Sequence, residues 1–358
     1  MSERSHISPR QAGVTEQRLD NSEVDMPTHP TRPVLRTAFA TVASTLLACA
    51  AQAQDVTIKL ATVNAPTSES WKAALAAAER VTARTEGRVA FQGFPSAQLG
   101  STTDSIEQAS QGLPVMTFTS ASFLSTFGVP ELSIVEGPFV VANSEEGERL
   151  AYSPLMQGFY DRLAQTAGLR VVALNWFDGP RHMIGTAAYP TPDALKGVRM
   201  RVPPVETWLK TFEPLGVIAT TVQAAEVYSA LSQGVVAAAE SPLTGLRASG
   251  WFEVAKEITL TGHFNLFTGW VMSEAAYTAM SEGDRAILME EFRTGGQQLT
   301  KISADLESDI RKEFEAKGVT FHAADIDAYR KATAGFFTSF PNWPAGLYDQ
   351  VRAAAGGQ

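Results

Sequence analysis

Two hydrophobic periods take turns along this chain. From Asp55 to Val63 (DVTIKLATV) apolar and polar residues alternate, which predicts a strand. Trp71, Leu75, Ala78 and Val81 then recur at spacings of three and four, predicting a helix over 69–84. The same grammar predicts strands over 87–94 and 115–119 with a helix over 103–111 between them, then one helix over 145–167 and a buried strand over 169–177. The second half repeats it: strand 198–202, helix 206–215, strand 217–220, helix 225–232 and strand 235–240. Beyond the apolar segment 264–271 comes a long helical pattern, about 281–317, with Leu299, Ile302, Leu306, Ile310 and Phe314 as one stripe. At about 1.5 Å per residue it spans on the order of 50 Å, long enough to join two lobes. Gly295-Gly296 is where it would bend. Such alternation implies an α/β protein with a largely parallel sheet, and 358 residues leave room for two domains.

The first fifty residues follow a different logic. Residues 1–25 are polar and patternless and read as a non-native or disordered extension, with Met26 as the true start. Over 26–53, Arg32 and Arg36 precede an apolar stretch from Thr37 to Ala50, and Ala51-Gln52-Ala53 supplies a small-x-small cleavage site. This is the pattern of a Sec-type signal peptide, too short to span a bilayer. Leu46 to Cys49 also resembles a lipobox, an alternative that would leave Cys49 acylated. Cleavage after Ala53 removes the chain's one cysteine, and with it any disulfide, thiol nucleophile or thiolate metal site. No later stretch is apolar enough for the mature chain to insert in a membrane. Residues 1–53 hold five basic and five acidic residues, so the net charge of −9 belongs to the mature part. That charge disfavours nucleic acid and anionic membrane, and an anionic ligand would need a local arginine cluster to overcome it.

One such cluster lies in DALKGVRMRVPP (193–204). Arg199 and Arg201 alternate with Val198, Met200 and Val202, so the arginines share one strand face. Arginine cannot shed its charge and stays wet unless paired, so one of the two could hold an anion. Catalytic signatures are missing: no GxSxG elbow, no Walker loop, no GxGxxG after a strand, no HExxH. His182, His263 and His322 are far apart in sequence, and pairs such as Glu146/Glu148 and Glu290/Glu291 sit on polar helix faces. A binding protein without cofactor or metal fits better than an enzyme.

Five stretches in order carry a resemblance: TEGRVAFQGFPSAQLGS (85–101), PFVVANSEE (138–146), FDGPRHMIGT (177–186), DALKGVRMRVPP (193–204) and EVYSALSQGVVAAAESPL (226–243). Together they resemble the extracytoplasmic solute-binding proteins of TRAP transporters, the C4-dicarboxylate-binding (DctP-type) family, from about Asp55 to the C-terminus. The resemblance implies a two-lobed periplasmic-binding-protein fold, type II-like, with a ligand cleft between α/β lobes and a long helix spanning both. Lobe I would be 54–178 plus about 267–306, and lobe II 179–266 plus about 307–358. It implies that Arg201 grips the ligand carboxylate through a bidentate salt bridge, with Arg199, farther from the strand's C-terminal end, as a support. Arg181 matches a second arginine aimed at the ligand. Ser241 stands where many members carry asparagine, and Glu240 matches an acidic residue that ligates a cation in some keto-acid binders. Asn64, Ser120 (with Phe123 beside it), Trp208, Phe267 and Trp270 complete the expected lining, while Tyr228 and Trp176 read as core. The function implied is periplasmic capture of a small organic acid, mono- or dicarboxylate, and its delivery to TRAP permease subunits in the membrane. A secreted hydrolase-type enzyme and a ligand-presenting sensor of the same fold stand as alternatives.

Overall fold

The computed structural model describes residues 55–356. The extension at 1–25, the signal peptide at 26–53 and Cys49 lie outside the described residues. The first run of elements is β1 (Val56–Ala61), α1 (Glu69–Arg84), β2 (Val89–Phe94), α2 (Thr102–Ser110), β3 (Val115–Ser120), α3 (Ala121–Leu124), α4 (Ser144–Ala151), α5 (Pro154–Ala167) and β4 (Leu169–Ala173). A second run follows with β5 (Arg181–Gly185), β6 (Arg199–Val202), α6 (Glu206–Phe212), β7 (Ile218–Thr221), α7 (Val227–Ser232), β8 (Ala238–Pro242), α8 (Leu243–Ser249) and β9 (Glu257–Phe264). The chain closes with β10 (Thr268–Ser273), α9 (Glu274–Ala279), α10 (Glu282–Ala316), β11 (Thr320–Ala323), α11 (Ile326–Thr333) and α12 (Leu347–Ala355).

Two sheets result, each sandwiched between two apolar cores. The first has the order β2-β1-β3-β10-β4 and the second β11-β9-β5-β8-β6-β7. Both are mixed rather than largely parallel. The chain crosses to the second sheet after β4, back to the first after β9, and through α10 to the second again for β11. The first strand after each of the first two crossings, β5 or β10, ends up between two other strands, β9 and β8 or β3 and β4, and runs antiparallel to both. The architecture is therefore α/β with two lobes, each built on its own sheet.

Long helix α10 ties the lobes together. Leu288, Phe292 and Leu299 sit in a core of the first sheet, Ile310 and Phe314 in a core of the second. Helix runs unbroken through Gly295 and Gly296, which serve close approach. A Cβ on Gly296 would stand 2.5 Å from Asn175 Oδ1, and one on Gly295 2.9 Å from Trp176 Cζ2. Asn175 and Trp176 in turn donate to the Arg293 and Phe292 carbonyls (3.0 and 2.9 Å). The expected stripe is narrower than drawn, because Ile302 is 37% exposed and Ser303 takes the buried place.

Other differences have local causes. The single helix expected over 145–167 is two, because Pro154 has no N–H to continue α4 and Ser153 caps a fresh start by accepting from the Met156 N–H (3.3 Å). Strands β5 and β9 and helices α8 and α9 were not expected, since their residues are buried on both faces or too few to show a period. The boundary that puts 307–358 wholly in lobe II fails at α12. Leu347, Val351 and Ala355 pack with Leu150 and Phe159 in a core of the first sheet.

Candidate ligand-binding site

A cavity of about 250 Å³ opens between the lobes, where the C-terminal ends of β1 and β3 face those of β6 and β8. Open α/β sheets place ligands beyond the carboxyl ends of their strands, where loops diverge and leave room. Of the expected lining residues, Asn64, Ser120, Phe123, Arg181, Arg201, Trp208 and Ser241 reach this cavity.

The second lobe supplies the cations. Arg201 is the penultimate residue of β6 and is 5% exposed. Its Nε donates to the Val222 carbonyl (3.0 Å), which fixes the plane of the guanidinium. Among the described residues no carboxylate pairs with it, and its two terminal nitrogens bond no protein group. Burial pulls this guanidinium down to about 10, with Glu240 opposing and Arg181 adding, so it stays charged at neutral pH. Arg199 points elsewhere: it is exposed and donates to the Gly234 carbonyl (2.9 Å).

Arg181 has a different environment on the neighbouring strand pair. β5 and β8 run antiparallel, with Arg181 opposite Pro242 and Glu240 two residues on. The Arg181 Nε donates to Glu240 Oε2, and its Nη2 to Glu240 Oε1 (2.8 Å) and to the Glu240 carbonyl (2.9 Å). Burial would raise the Glu240 carboxyl, but the adjacent Arg181 charge overcomes it and holds the group well below the usual range. Trp208 Nε1 donates to the same carboxylate (2.9 Å), so the indole wall of the cleft is set by Glu240. Both Glu240 oxygens are thus engaged inside the protein. Glu240 lies behind the wall, fully buried, rather than in it. Ser241, one residue on, does reach the cavity, and its hydroxyl bonds no protein group among the described residues.

The first lobe supplies acceptors. Ser120, at the end of β3, donates its hydroxyl proton to Glu136 Oε2 (3.0 Å). Glu136 also accepts from the Ala121 N–H (2.8 Å) and the Ser122 N–H (3.2 Å). Asn64 donates through Nδ2 to Ser70 Oγ (3.0 Å), and Ser70 donates onward to Ser68 Oγ (3.3 Å). Between the lobes, Asp178 Oδ1 accepts from Thr244 Oγ1 (2.8 Å) and Ser303 Oγ (2.7 Å), and burial raises its carboxyl to about 6.

Phe267 and Trp270, expected in the lining, are core. Phe267 packs edge-on against Phe177 with ring centroids 5.2 Å apart. Trp270 sits among Trp176, Phe118 and Phe292. The return crossover presents Leu266 and Thr268 to the cavity instead, because neighbouring side chains of an extended segment take opposite sides. Trp176 is core as read, whereas Tyr228 is 39% exposed. Sequence reasoning missed Asp178, Phe118, Gln223 and Trp251 in the lining. Asp178 stood inside a quoted stretch (FDGPRHM), while Glu136, in the apolar context SIVEGPF, gave no signal at all.

Similar proteins identify the family. The sequence profile of the family described as bacterial extracellular solute-binding protein, family 7 (DctP), matches residues 60–340. A solute-binding protein of Roseobacter denitrificans is 27% identical over 296 residues, covering 82% of this chain and 90% of that protein. A TRAP periplasmic solute-binding protein of Ochrobacterium anthropi, solved with bound L-fuconate, superposes with a TM-score of 0.81 at 28% identity, covering 84% of this chain and 99% of that one. One from Fusobacterium, solved with bound sn-glycerol 3-phosphate, gives 0.80 at 28% identity over 84% and 97%. With the two-lobed fold, the cleft at the strand ends and the profile match in agreement, the chain belongs to family 7 of the bacterial extracellular solute-binding proteins, the TRAP-transporter type.

Proposed function

We propose that the protein captures a small organic acid in this cleft by closing its lobes over it, and presents the closed complex to TRAP permease subunits. The observation that carries this reading is Arg201: a guanidinium buried at the cavity, charged, with no carboxylate paired to it among the described residues. An unpaired buried charge is costly, and a ligand carboxylate accepting from both terminal nitrogens removes that cost. Arg181 contributes less charge, because Glu240 already neutralises it, and acts by stiffening the wall that holds Trp208. Ser241 donates from beside it. Relatives solved with sugar acids support the class of ligand. The signal-like segment at 26–53 and the family support an extracytoplasmic, periplasmic location.

The geometry supports closure. Asn64 and Ser120 come from one lobe and Arg201 and Ser241 from the other, so a ligand touching both sets binds the closed form more tightly and shifts the population toward it.

Titration calorimetry of Arg201→Ala and Arg201→Lys tests the assignment. Removing one partner of a desolvated ion pair costs about 3–5 kcal/mol, so Arg201→Ala weakens binding by roughly 10²–10³-fold or more. Lysine restores the charge without the planar fork and recovers only part of the loss. Unchanged affinity in Arg201→Ala would falsify the carboxylate site.

A further inference from the structure

The cleft carries more acceptors than a plain carboxylate can use. Ser120 has one proton, and Glu136 holds it, so toward the cavity that hydroxyl offers only lone pairs. The Asn64 amide is oriented by its bond to Ser70, and its carbonyl oxygen meets no protein donor among the described residues. Asp178 adds a carboxyl at the same cavity. Against these, among the described residues of the lining, stands one guanidinium without a carboxylate partner, that of Arg201.

We propose that Glu136 is a positioning residue for ligand choice. By taking the Ser120 proton it turns that hydroxyl into an acceptor, so the site selects a monocarboxylate whose carbon chain bears hydroxyl groups over a dicarboxylate or an unsubstituted acid of equal length. The inference rests on the carboxylate reading above and deepens it. Ligand hydroxyls donate to Ser120, Asn64 and Asp178. A second carboxylate on that side meets lone pairs and no counter-charge, and a methylene chain leaves the acceptors unpaired in a closed, dry cleft.

The geometry also gives the relay a pH signature. Burial raises the Glu136 carboxyl to about 7, the hydrogen bonds it accepts pulling the other way. Among the described residues no charged side chain stands among the leading causes of that shift. What faces Glu136 from β3 and α3 is Ser120, Ser122 and two N–H groups, and the other acid of its own 3-10 segment (Pro130–Glu136), Glu131, is paired with Arg162 (2.9 Å). Once Glu136 is protonated it can donate to Ser120, and the freed Ser120 proton points a donor at the cleft.

The test measures calorimetric affinities of the purified protein for D-erythronate, L-galactonate and D-gluconate against butanoate, hexanoate, succinate and adipate. At pH 8 at least one aldonate is expected to bind ten- to a hundredfold tighter than the unsubstituted acid and the diacid of its length. Ser120→Ala and Glu136→Gln should each narrow that ratio about tenfold, the aldonate losing a hydrogen-bond partner and the unsubstituted acid no longer facing an unpaired acceptor. In the wild-type protein the ratio should shrink from pH 8 to pH 6, and it should shrink less in Ser120→Ala, where Asp178, raised to about 6, still titrates at the cavity. If Glu136→Gln does not fold, Ser120→Ala and the pH profile still decide. Adipate or hexanoate bound as tightly as any aldonate, in an Arg201-dependent way, keeps the carboxylate site and overturns the selection. Variants that weaken all acids equally overturn the positioning role, and absence of binding by every acid overturns both readings.

Discussion

Arg181 and Arg201 are the same residue in the same cleft, and one neighbour separates their roles. Glu240 engages Arg181 through three hydrogen bonds and leaves Arg201 with only the Val222 carbonyl. At this scale His182 offers a test of burial. It is 6% exposed, its Nδ1 accepts from the Gly262 N–H (3.1 Å), and burial pulls it down to about 3. The native state therefore holds His182 neutral while the unfolded chain protonates near 6.5. This contribution is fully present above about pH 6.5 and is lost as pH falls toward 3. Glu136 and Asp178, raised to about 7 and 6, act with the opposite sign: theirs is present at low pH and lost as pH rises through those values. Comparing variants at each pH isolates the histidine. In His182→Asn, whose Oδ1 can replace Nδ1 as acceptor, the wild-type protein should lose about 2 kcal/mol relative to the variant between pH 7 and pH 5. Urea denaturation at the two pH values reads this directly, and a difference that does not change with pH would rule it out.

Among the elements, glycines show whether a helix was built for itself or for its neighbours. Gly158 lies exposed in α5 with no atom within 4 Å of an added Cβ. Alanine there should stabilise the protein by about 0.5–1 kcal/mol, because glycine costs backbone entropy in a helix and nothing stands in the way. Gly296 lies in α10 with Asn175 in contact, so the same change should cost about 1–3 kcal/mol. Thermal melts of the two variants should move in opposite directions, and a matching shift would contradict the packing account of α10. Helices α1, α2 and α5 were legible because each has a serine cap and one apolar face. β5 and β9 were not, because strands covered on both faces lose the alternation by which a strand is read.

For the whole molecule the question is how two lobes come together. Beyond the ligand, Arg247 on α8 bonds Glu69 at the start of α1 (3.1 Å), a contact that links the two lobes. Both side chains keep some solvent access, so the pair is worth only about 0.2–1 kcal/mol. Arg247→Ala should raise the dissociation constant two- to fivefold at low salt, with little effect at high salt. Small-angle scattering should show the liganded protein more compact than the free one, with a smaller closed fraction in Arg247→Ala at subsaturating ligand. Identical affinity at both ionic strengths would remove the pair from the closing equilibrium.

Much of this protein is written locally. Periods of two and of three to four residues, caps and prolines act over a single turn or strand, and they were enough to place the strand–helix grammar, the arginine strand and the long helix. The family resemblance, carried by motifs that contain Arg181, Arg201 and Ser241, also pointed to Asn64, Ser120 and Trp208, and all six line one cavity. What those motifs could not assign is partnership. Ser120 meets Glu136 across 16 positions, Arg181 meets Glu240 across 59, and Trp176 meets the α10 backbone across 116. Which strand is inserted antiparallel, which face of the return crossover meets the cavity and which arginine keeps its charge free all depend on such contacts. No local period encodes them, because a hydrogen bond or an ion pair is fixed by where the folded backbone brings two groups, not by the residues beside either one.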